Sequence, residues 1–468
     1  MKKILPTLFP WKLYLNILQL EEYQYSRFLK WLSKNLFARN IIAKKNLVVT
    51  PKVKTIIHLS ILWLAVLTII TSLLCTPLAG IVIFLLLIIQ PHPLFALALL
   101  ILKPYEILNK KRVIAKNRKL ILNNKNLKVI SIVGSYAKTS IKEILYQLIK
   151  DKYKTLKTPE SFNTVFGINK VTDLELDNSY QYFICEMAAY QKGEINELMH
   201  MIPPSLGVIT GIASQHLERF GSLKNIISAK FEPLNHLSTD KMTFNLDNKS
   251  VIKELQRRNI NKTYGYGINA TQAQIQAKNI KLTKKGSKFT LIIDGKKYQA
   301  STSLFGFANI QNILAATALA HKINLTDKEI LEKIKTLIPF SNRNELKKLE
   351  TSTLVDNTFS SNEQAFIQTL KAAQAVKGKK ILITPGLVEL GTKKKEIHLK
   401  LGKLAAGVFN QVVLVGKNNR TRSLAQGIGN KPKPIFINDN RDQYSQAVNN
   451  AKNKFNWIFL ENDVTQNY

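Results

Sequence analysis

Val129–Leu145, VISIVGSYAKTSIKEIL, is the stretch of this chain that decides the fold. An apolar run, a short loop ending in Lys138-Thr139-Ser140 and a helix-like pattern predict a strand, a phosphate-binding turn and a helix. The start of a helix presents unpaired backbone N–H groups and the positive end of the peptide dipoles, so it attracts a phosphate. In such a turn, Lys138 meets the β- and γ-phosphates of a nucleotide and the Thr139 hydroxyl reaches Mg²⁺.

The loop departs from the strict phosphate-loop pattern G-x-x-x-x-G-K-[ST], because Ile132 and Ala137 stand at its two glycine positions. The part of the pattern that the chain keeps is Gly134-Ser135-Tyr136-Ala137-Lys138-Thr139. Taken alone, this part is also compatible with an ordinary strand, turn and helix that bind no phosphate. An alanine held in a left-handed backbone costs about 1–2 kcal/mol, which a folded domain tolerates.

Composition sets the class of protein and its partners. The chain has 468 residues, enough for two or three domains, and a net charge of +37. Residues 1–130 hold 16 Lys and 4 Arg against 3 Glu, an excess that favours contact with anionic lipid or nucleic acid. No aromatic-basic recognition motif supports nucleic acid. Two cysteines, Cys75 and Cys185, exclude a four-cysteine zinc site and fit a reducing compartment.

A long apolar run predicts a membrane segment. No charged residue occurs from Thr55 to Leu102, a run of 48 residues. At about 1.5 Å per residue, this run is long enough for two crossings of a hydrocarbon core about 30 Å thick. The predicted arms of this transmembrane hairpin are about 56–76 and 78–102.

Prolines indicate where this hairpin turns and kinks, and the flanking lysines indicate its orientation in the membrane. Pro77 and Gly80 lie where the turn between the arms falls, whereas Pro91 and Pro93 require the second arm to kink or to re-enter. Basic residues flank the run on both sides and are missing from the turn, which puts both ends in the cytoplasm. We therefore expect a multi-pass protein of the cytoplasmic membrane whose catalytic domains are cytoplasmic.

The rest of the chain alternates strand and helix patterns and predicts an α/β fold. For the aromatic and basic segment 1–54, an interfacial helix lying on the membrane and an amphipathic helix packed on protein both stay open. The predicted plan is this segment (1–54), the hairpin (55–102), a basic linker (103–127), a central parallel-sheet domain of the P-loop ATPase type (128–345) and a smaller, doubly wound Rossmann-like domain (346–468).

Further polar motifs follow the predicted strands. Glu186 ends a buried strand, where open α/β sheets place their ligands and where Mg²⁺ is a natural partner for a carboxylate. Each motif alone also has an ordinary structural explanation, as a turn, a helix cap, a structural histidine, a solvated lysine or a tightly packed helix. The motifs are TPESFNT (158–164), CEMAAY (185–190), GIASQHLER (211–219), AKFE (229–232) and GFANIQN (306–312).

In order and wording, the chain resembles the Mur ligase family over about residues 128–468. The stretches that carry the resemblance are GSYAKTS, TPESFNT, EMAAYQKGEI, VITGIASQHLERFGSLKNI, AKFE, FGFANIQNILAA, ITPGLVELG and LENDVTQNY. The resemblance implies an ATP-dependent amide ligase of cell-wall (peptidoglycan) precursor synthesis that works through an acyl phosphate. It implies as partners a UDP-muramoyl peptide or a lipid-linked precursor, and D-alanyl-D-alanine or another amine.

The resemblance also implies roles for individual residues. The implied ATP site comprises Gly134, Ser135, Lys138, Thr139, Ser140, Asn309, Asn312, Arg343 and Asp356. The implied Mg²⁺ ligands are Thr139, Glu186, His216 and, if it is carbamylated, Lys230. Catalytic roles fall to Lys138, His216 and Lys230.

The chain also departs from the family's pattern. Ala308 stands where a histidine is usual, Val355–Glu363 is an altered D-D-x-Y-N-x-N-P motif, and the membrane hairpin replaces the soluble domain that grips the UDP-sugar. Two alternatives to the first function therefore stay open. One is a Mur-type ligase acting on another, lipid-linked carboxylate, and the other is a catalytically weak membrane scaffold that binds nucleotide.

Overall fold

The structure is a computed structural model that describes residues 10–35, 46–213, 217–359, 361–388 and 390–462. The chain divides into two compact units between Arg112 and Val113. The helices of the first unit are α1 (Trp11–Leu20), α2 (Tyr25–Asn35), α3 (Pro51–Leu74), α4 (Pro77–Ile89) and the first part of α5 (His92–Asn123).

A cluster of aromatic and aliphatic side chains holds the first unit together. Tyr14, Leu18 and Phe28 from α1 and α2 pack with Ile56 of α3 and Phe95 of α5. Within the described part of segment 1–54, the helices therefore pack on protein, as one of the two interpretations expects. The interfacial alternative concerns the outer surface of the same helices and stays a prediction.

The apolar run forms three helices. Among the described residues, α3 is the one helix that is long and apolar enough to cross a membrane. The predicted second arm, 78–102, is divided between α4 and α5, whose axes are bent by 82° at Gln90-Pro91. The kink expected from Pro91 and Pro93 is therefore present, because a proline at this position lacks an N–H and ends the preceding helix.

The predicted linker 103–127 is helical over most of its length. Helix α5 continues through it to Asn123 and carries Pro104 inside the helix. Ile121 is buried, and Val113, Ile114 and Leu120 pack partly buried against the hydrophobic core of the second unit. Sequence composition alone missed this, because the abundant lysines hide an apolar stripe at helical spacing.

The second unit begins with a nine-stranded sheet, in the order β2-β3-β1-β4-β5-β6-β7-β8-β9. Neighbours from β2 to β7 run parallel, and β7, β8 and β9 form antiparallel hairpins, as the turns at Lys285-Gly286 and Gly295-Lys296 predict. The strands are β1 (Lys128–Val133), β2 (Thr155–Lys157), β3 (Tyr182–Met187), β4 (Leu206–Ile209), β5 (Met242–Asn245), β6 (Tyr264–Gly267), β7 (Ile275–Thr283), β8 (Gly286–Ile293) and β9 (Lys296–Thr302).

Helices cover both faces of this sheet, and alternating side chains of β1 supply both cores. Ile130 and Ile132 face one core and Val129 and Val133 the other. The helices are α6 (Lys138–Ile149), α7 (Val165–Leu174), α8 (Glu194–Met201), α9 (Leu217–Phe220), α10 (Leu223–Lys230), α11 (Lys249–Arg257), α12 (Phe307–Lys322) and α13 (Asp327–Lys335).

A second sheet of six strands follows, in the order β10-β11-β15-β12-β13-β14, with only β10 antiparallel. It begins at Glu345, beside the predicted domain boundary, and has the parallel, helix-covered form predicted for it. Its elements are β10 (Glu345–Lys348), β11 (Thr353–Asn357), α14 (Glu363–Ala375), β12 (Lys380–Thr384), α15 (Lys394–Ala406), β13 (Gln411–Val415), α16 (Asn419–Ile428), β14 (Ile435–Ile437), α17 (Arg441–Ala451) and β15 (Trp457–Glu461).

Helices α15 and α16 approach each other backbone to backbone. A Cβ added at Gly402 would lie 2.3 Å from the carbonyl oxygen of Leu424, and one added at Gly427 would lie 2.3 Å from that of Leu399. Only glycine fits at either position without moving a helix.

We expect Gly402→Ala to destabilise the second sheet and its helices by about 1–3 kcal/mol, because the added methyl group overpacks two backbones. Thermal unfolding of the full chain in detergent should show a lower midpoint for this variant. Gly407→Ala is the matched control, since its Cβ would come no closer than 4.0 Å to a neighbouring atom. Equal midpoints for the two variants would contradict this packing.

Candidate active site

The predicted phosphate-binding turn runs from the end of β1 at Val133 to the start of α6 at Lys138. Ala137 adopts the left-handed conformation expected for it, with φ 66° and ψ −7°. Gly134 cannot carry a side chain, because a Cβ would lie 2.0 Å from Thr210 Oγ1, and that hydroxyl donates to the Tyr136 carbonyl at 2.5 Å. The glycine that this turn requires is therefore Gly134, and Ile132 is simply a buried strand residue.

Two cations face this turn. Lys138 Nζ donates to the carbonyl oxygen of Gly134 at 3.0 Å. Burial lowers the pKa of Lys138, the charge of Glu186 opposes that shift, and the charge of Arg343 adds to it. Burial also lowers the pKa of Arg343, against the opposing charges of Glu186 and Glu143. Desolvated cations beside a helix N-terminus favour a ligand with several negative charges, such as a polyphosphate.

Glu186 lies at the end of β3 and is 2% exposed. Its carboxylate accepts hydrogen bonds from Thr139 Oγ1 at 2.8 Å and from Asn163 Nδ2 at 3.0 Å. In the register of the sheet it pairs with Ile132, so it lies on the α6 face. The predicted Thr139 and Glu186 are thus in direct contact.

A carboxylate and a hydroxyl at the edge of a cavity are ligands that suit Mg²⁺. Thr139 and Glu186 both line that cavity. The described ranges contain no group of three or more His, Cys, Asp and Glu side chains that could hold a metal ion. Mg²⁺ commonly binds through one or two protein ligands, with substrate phosphates and water completing its shell, and these two residues fit that mode.

Lys142 is part of this site and was missed by the sequence analysis. It is fully buried on α6, donates to the Glu160 carbonyl at 2.6 Å and lies 3.6 Å from Glu186 Oε2. The available signal was its spacing, because position i+4 from Lys138 faces the same side of a helix. A buried lysine needs an anion nearby, and Glu186 supplies it.

Lys230 ends α10 and is 3% exposed, so the ordinary expectation of a solvated lysine is wrong. Its Nζ donates to the Ala189 carbonyl at 3.3 Å. Burial lowers its pKa to about 7, with the charge of Lys138 adding to the shift and those of Glu194 and Glu232 opposing it. A large fraction of Lys230 is therefore a neutral amine at neutral pH.

The opposite wall of the cavity holds the other predicted nucleotide contacts. Asn309 and Asn312 are buried near the start of α12, where Asn309 donates to the Phe305 carbonyl at 3.0 Å. The guanidinium of Arg343 lies 3.8 Å from the centre of the Phe359 ring.

Two predicted residues are not among those brought together here. Asp356 does not line the cavity; it accepts from Lys347 Nζ at 2.6 Å and from Thr358 Oγ1 at 2.7 Å. His216 lies outside the described residues.

The cavity enclosed by these walls has a volume of about 1050 Å³. The second sheet and its helices contribute to its lining. Lining residues outside every stretch named in the sequence analysis include Asp247, Asn248, Lys371 and Lys400, whereas Asn163, Asn357, Phe359 and Asn362 lie in the named stretches 158–164 and 355–363. A cavity of this size, lined by polar groups from two sheets, suits a nucleotide together with a second substrate.

Comparison with known proteins agrees with this geometry. Residues 132–320 match the Mur ligase middle domain. The chain is 28% identical over 305 residues to the UDP-N-acetylmuramoyl-tripeptide–D-alanyl-D-alanine ligase of Escherichia coli, covering 64% of this chain and 67% of that protein. It is 25% identical over 303 residues to the Bacillus subtilis ligase of the same name, covering 64% and 65%. The aligned part thus spans about two thirds of each relative.

Solved structures show the same fold. The MurF ligase of Thermotoga maritima in complex with ADP superposes with a TM-score of 0.67 at 22% identity, covering 76% of this chain and 81% of that one. MurF from Acinetobacter baumannii gives a TM-score of 0.67 at 22% identity. The predicted α/β architecture is therefore confirmed as the Mur ligase fold, and the chain is similar to ATP-dependent ligases of that family.

We expect Glu186→Gln to weaken Mg²⁺-dependent nucleotide turnover roughly a hundredfold, the scale seen when one preorganised electrostatic group is removed. The amide keeps the shape of the carboxylate but removes its charge. Phosphate release at saturating ATP, with a thermal unfolding curve alongside, measures the effect. Glu175→Gln, an exposed carboxylate of the same domain, is the control. Unchanged turnover in Glu186→Gln would show that the charge of Glu186 has no part in nucleotide turnover.

Proposed function

We propose that this protein is a membrane-tethered, ATP-dependent amide ligase of peptidoglycan precursor synthesis. The observation that carries the proposal is the convergence of Lys138, Thr139, Glu186, Lys230 and Arg343 around one cavity at the start of α6. The similarity to D-alanyl-D-alanine-adding ligases supports the same reaction. The proposed substrates are a UDP-muramoyl tripeptide and D-alanyl-D-alanine.

The reaction has two steps that this site suits. A substrate carboxylate oxygen attacks the γ-phosphorus of ATP and displaces ADP, giving an acyl phosphate. The amine of the second substrate then attacks the acyl carbon, inorganic phosphate leaves, and an amide forms with loss of a proton. Neither step needs a covalent enzyme nucleophile, so catalysis rests on positioning and on neutralising charge.

The proposed roles follow from the contacts. Lys138, Arg343 and the N–H groups at the start of α6 balance the phosphate charge. Thr139 and Glu186 would hold Mg²⁺, which supplies further charge neutralisation when bound. Asn309 and Asn312 line the nucleotide side of the cavity. His216 keeps the metal role predicted from the resemblance, whereas Asp356, which is bound by Lys347 and does not line the cavity, takes no nucleotide role in this proposal.

Lys230 suits carbamylation because its pKa of about 7 leaves a neutral amine. The nitrogen lone pair adds to the carbon of CO₂ and a proton is released, which gives a carbamate anion in place of an ammonium cation. A buried anion near Lys138 is favoured where a buried cation is not. The carbamate would add an oxygen ligand for the metal beside Glu186.

Membrane tethering rests on the apolar helix α3 and on the basic residues that flank the run. A protein and a precursor confined to one membrane meet at a raised effective concentration. A lipid-linked carboxylate is therefore the second candidate substrate. The scaffold alternative has less support, because the altered loop around Ala137 still forms the phosphate-binding turn and keeps Lys138 and Thr139 in place.

We expect the full chain in detergent to release phosphate from ATP only when UDP-muramoyl tripeptide and D-alanyl-D-alanine are both present. Lys138→Ala should abolish this release, because the phosphates lose their buried cation. Lys150→Ala, at the exposed end of the same helix, should retain it. ATP binding without phosphate release, even when both substrates are present, would favour the scaffold. Release when a lipid-linked precursor replaces the UDP-muramoyl tripeptide, with the amine still present, would identify the second candidate substrate.

We expect activity to depend on CO₂ and to rise with pH through about 7, as Lys230 loses its proton. A ¹³C-carbamate signal should appear in NMR spectra recorded with labelled bicarbonate and should be missing in Lys230→Met. Lys224→Met, on the exposed side of the same helix, should keep both the signal and the activity. A fully active Lys230→Met variant would contradict the role.

A further inference from the structure

The two arms of the apolar hairpin differ in length. Helix α3 has 24 residues and α4 has 13, which correspond to about 36 Å and about 20 Å at 1.5 Å per residue. A hydrocarbon core is about 30 Å thick, so α4 is too short to cross it. After α4 the chain turns by 82° into α5 and does not continue along the same line.

The base of the hairpin is marked by aromatic side chains of α1 and α2. Trp11 Nε1 donates to the Ile88 carbonyl at 3.0 Å, and Tyr14 OH donates to Gln90 Oε1 at 3.2 Å. Tyr25 OH lies 2.9 Å from His92 Nδ1. These contacts show that α1 and α2 pack against the chain at the level of Ile88–His92, so only the part of the hairpin beyond this level is free to enter a membrane.

The depth beyond this level follows from how the arms pair. A Cβ on Gly80 would lie 1.8 Å from Ser72 Oγ, so Gly80 and Ser72 are level with each other on antiparallel arms. Eight residues further from the tip, Ile88 is then level with Leu64. The part of α3 beyond Leu64 is 65–74, ten residues or about 15 Å, which is half of a hydrocarbon core.

The surface of the hairpin suits acyl chains. At its tip, Leu73, Leu74 and Leu78 are 79%, 80% and 70% exposed. The hydroxyls of Thr68 and Thr71 donate to carbonyls of their own helix at 2.7 Å. Polar groups in hydrocarbon must find partners within the same segment, and these two do.

Positive charge is confined to the base. Lys52 lies 4.0 Å from the centre of the Tyr23 ring and 2.6 Å from Glu106 Oε1. Lys12, Lys54 and Lys103 flank the same end of the helices, whereas 55–102 carries no charged residue. Lysines at this end of the hairpin, with an apolar surface towards the tip, suit an anionic membrane leaflet: the lysines attract its headgroups and the apolar surface enters its acyl chains.

We propose that α3 and α4 form a re-entrant anchor that enters one leaflet from the cytoplasmic side and ends near the bilayer midplane, with Cys75 at its tip. The proposal rests on the proposed membrane association and replaces the expected pair of crossings. It makes the hairpin monotopic, because its tip ends inside the bilayer and does not reach the far side.

The chain supplies its own probe. Cys75 is exposed between the two arms, and Cys185 is buried in the central sheet. Spheroplasts and inside-out membrane vesicles from an expressing bacterium present opposite faces to a membrane-impermeant maleimide. Val49→Cys in a Cys75→Ser background is the matched control, since Val49 is exposed at the base and precedes α3. Peptide mass spectrometry separates labelled Cys75 from Cys185.

We expect Cys75 to stay unlabelled from both faces and to react once detergent dissolves the membrane, because a thiol in hydrocarbon forms no thiolate. Val49→Cys should label in inside-out vesicles only. Labelling of Cys75 in spheroplasts would show a full crossing, and labelling in inside-out vesicles would show a hairpin outside the bilayer. Either result overturns the proposal.

Depth provides a second measurement. A fluorophore on Cys75, in full-length protein reconstituted into phosphatidylethanolamine–phosphatidylglycerol vesicles, should be quenched more by nitroxides deep in the acyl chains than by headgroup nitroxides. The reverse order would overturn the anchor. Phosphate release by unlabelled protein in the same vesicles tests the ligase separately, since an inactive protein with a shielded Cys75 counts against the ligase alone.

Discussion

The contact on which the active site depends is the one between Glu186 and the first turn of α6. Its carboxylate joins Thr139, Lys142 and Asn163, and so ties the end of β3 to the helix after β1 and to the loop after β2. A buried carboxylate is stable only with such partners. The same contacts leave Glu186 at the cavity wall, where its oxygens would face a bound metal ion.

Much of the fold and of the candidate site could be predicted from the sequence, because these parts depend on local residue patterns. The strand, turn and helix around Lys138, the hairpins of the central sheet and the parallel second sheet all follow from periodicity and turn residues. The contact between Thr139 and Glu186 follows from a general rule for where parallel sheets bind ligands. The prolines at 91 and 93 gave the kink.

The rest depends on packing between distant segments, which periodicity does not encode. Lys142 and Lys230 look like solvated lysines until the helices that carry them are docked. Helix α5 looked like a basic linker because its apolar stripe faces a core that is built from strands and helices later in the chain. Asp356 sits near the cavity but is bound by Lys347, a partner that only the pairing of β10 with β11 supplies.

The burial of Lys230 makes folding a proton-releasing event. An unfolded lysine keeps its proton up to about pH 10.4, whereas the folded protein gives it up near 7. Between those values the unfolded chain binds more protons, so the free energy of unfolding rises with pH. A carbamate at the same nitrogen would form only in the folded chain, and CO₂ would then stabilise the native state by mass action, as any ligand does. Dissolved carbon dioxide would thereby set how much of the protein is folded.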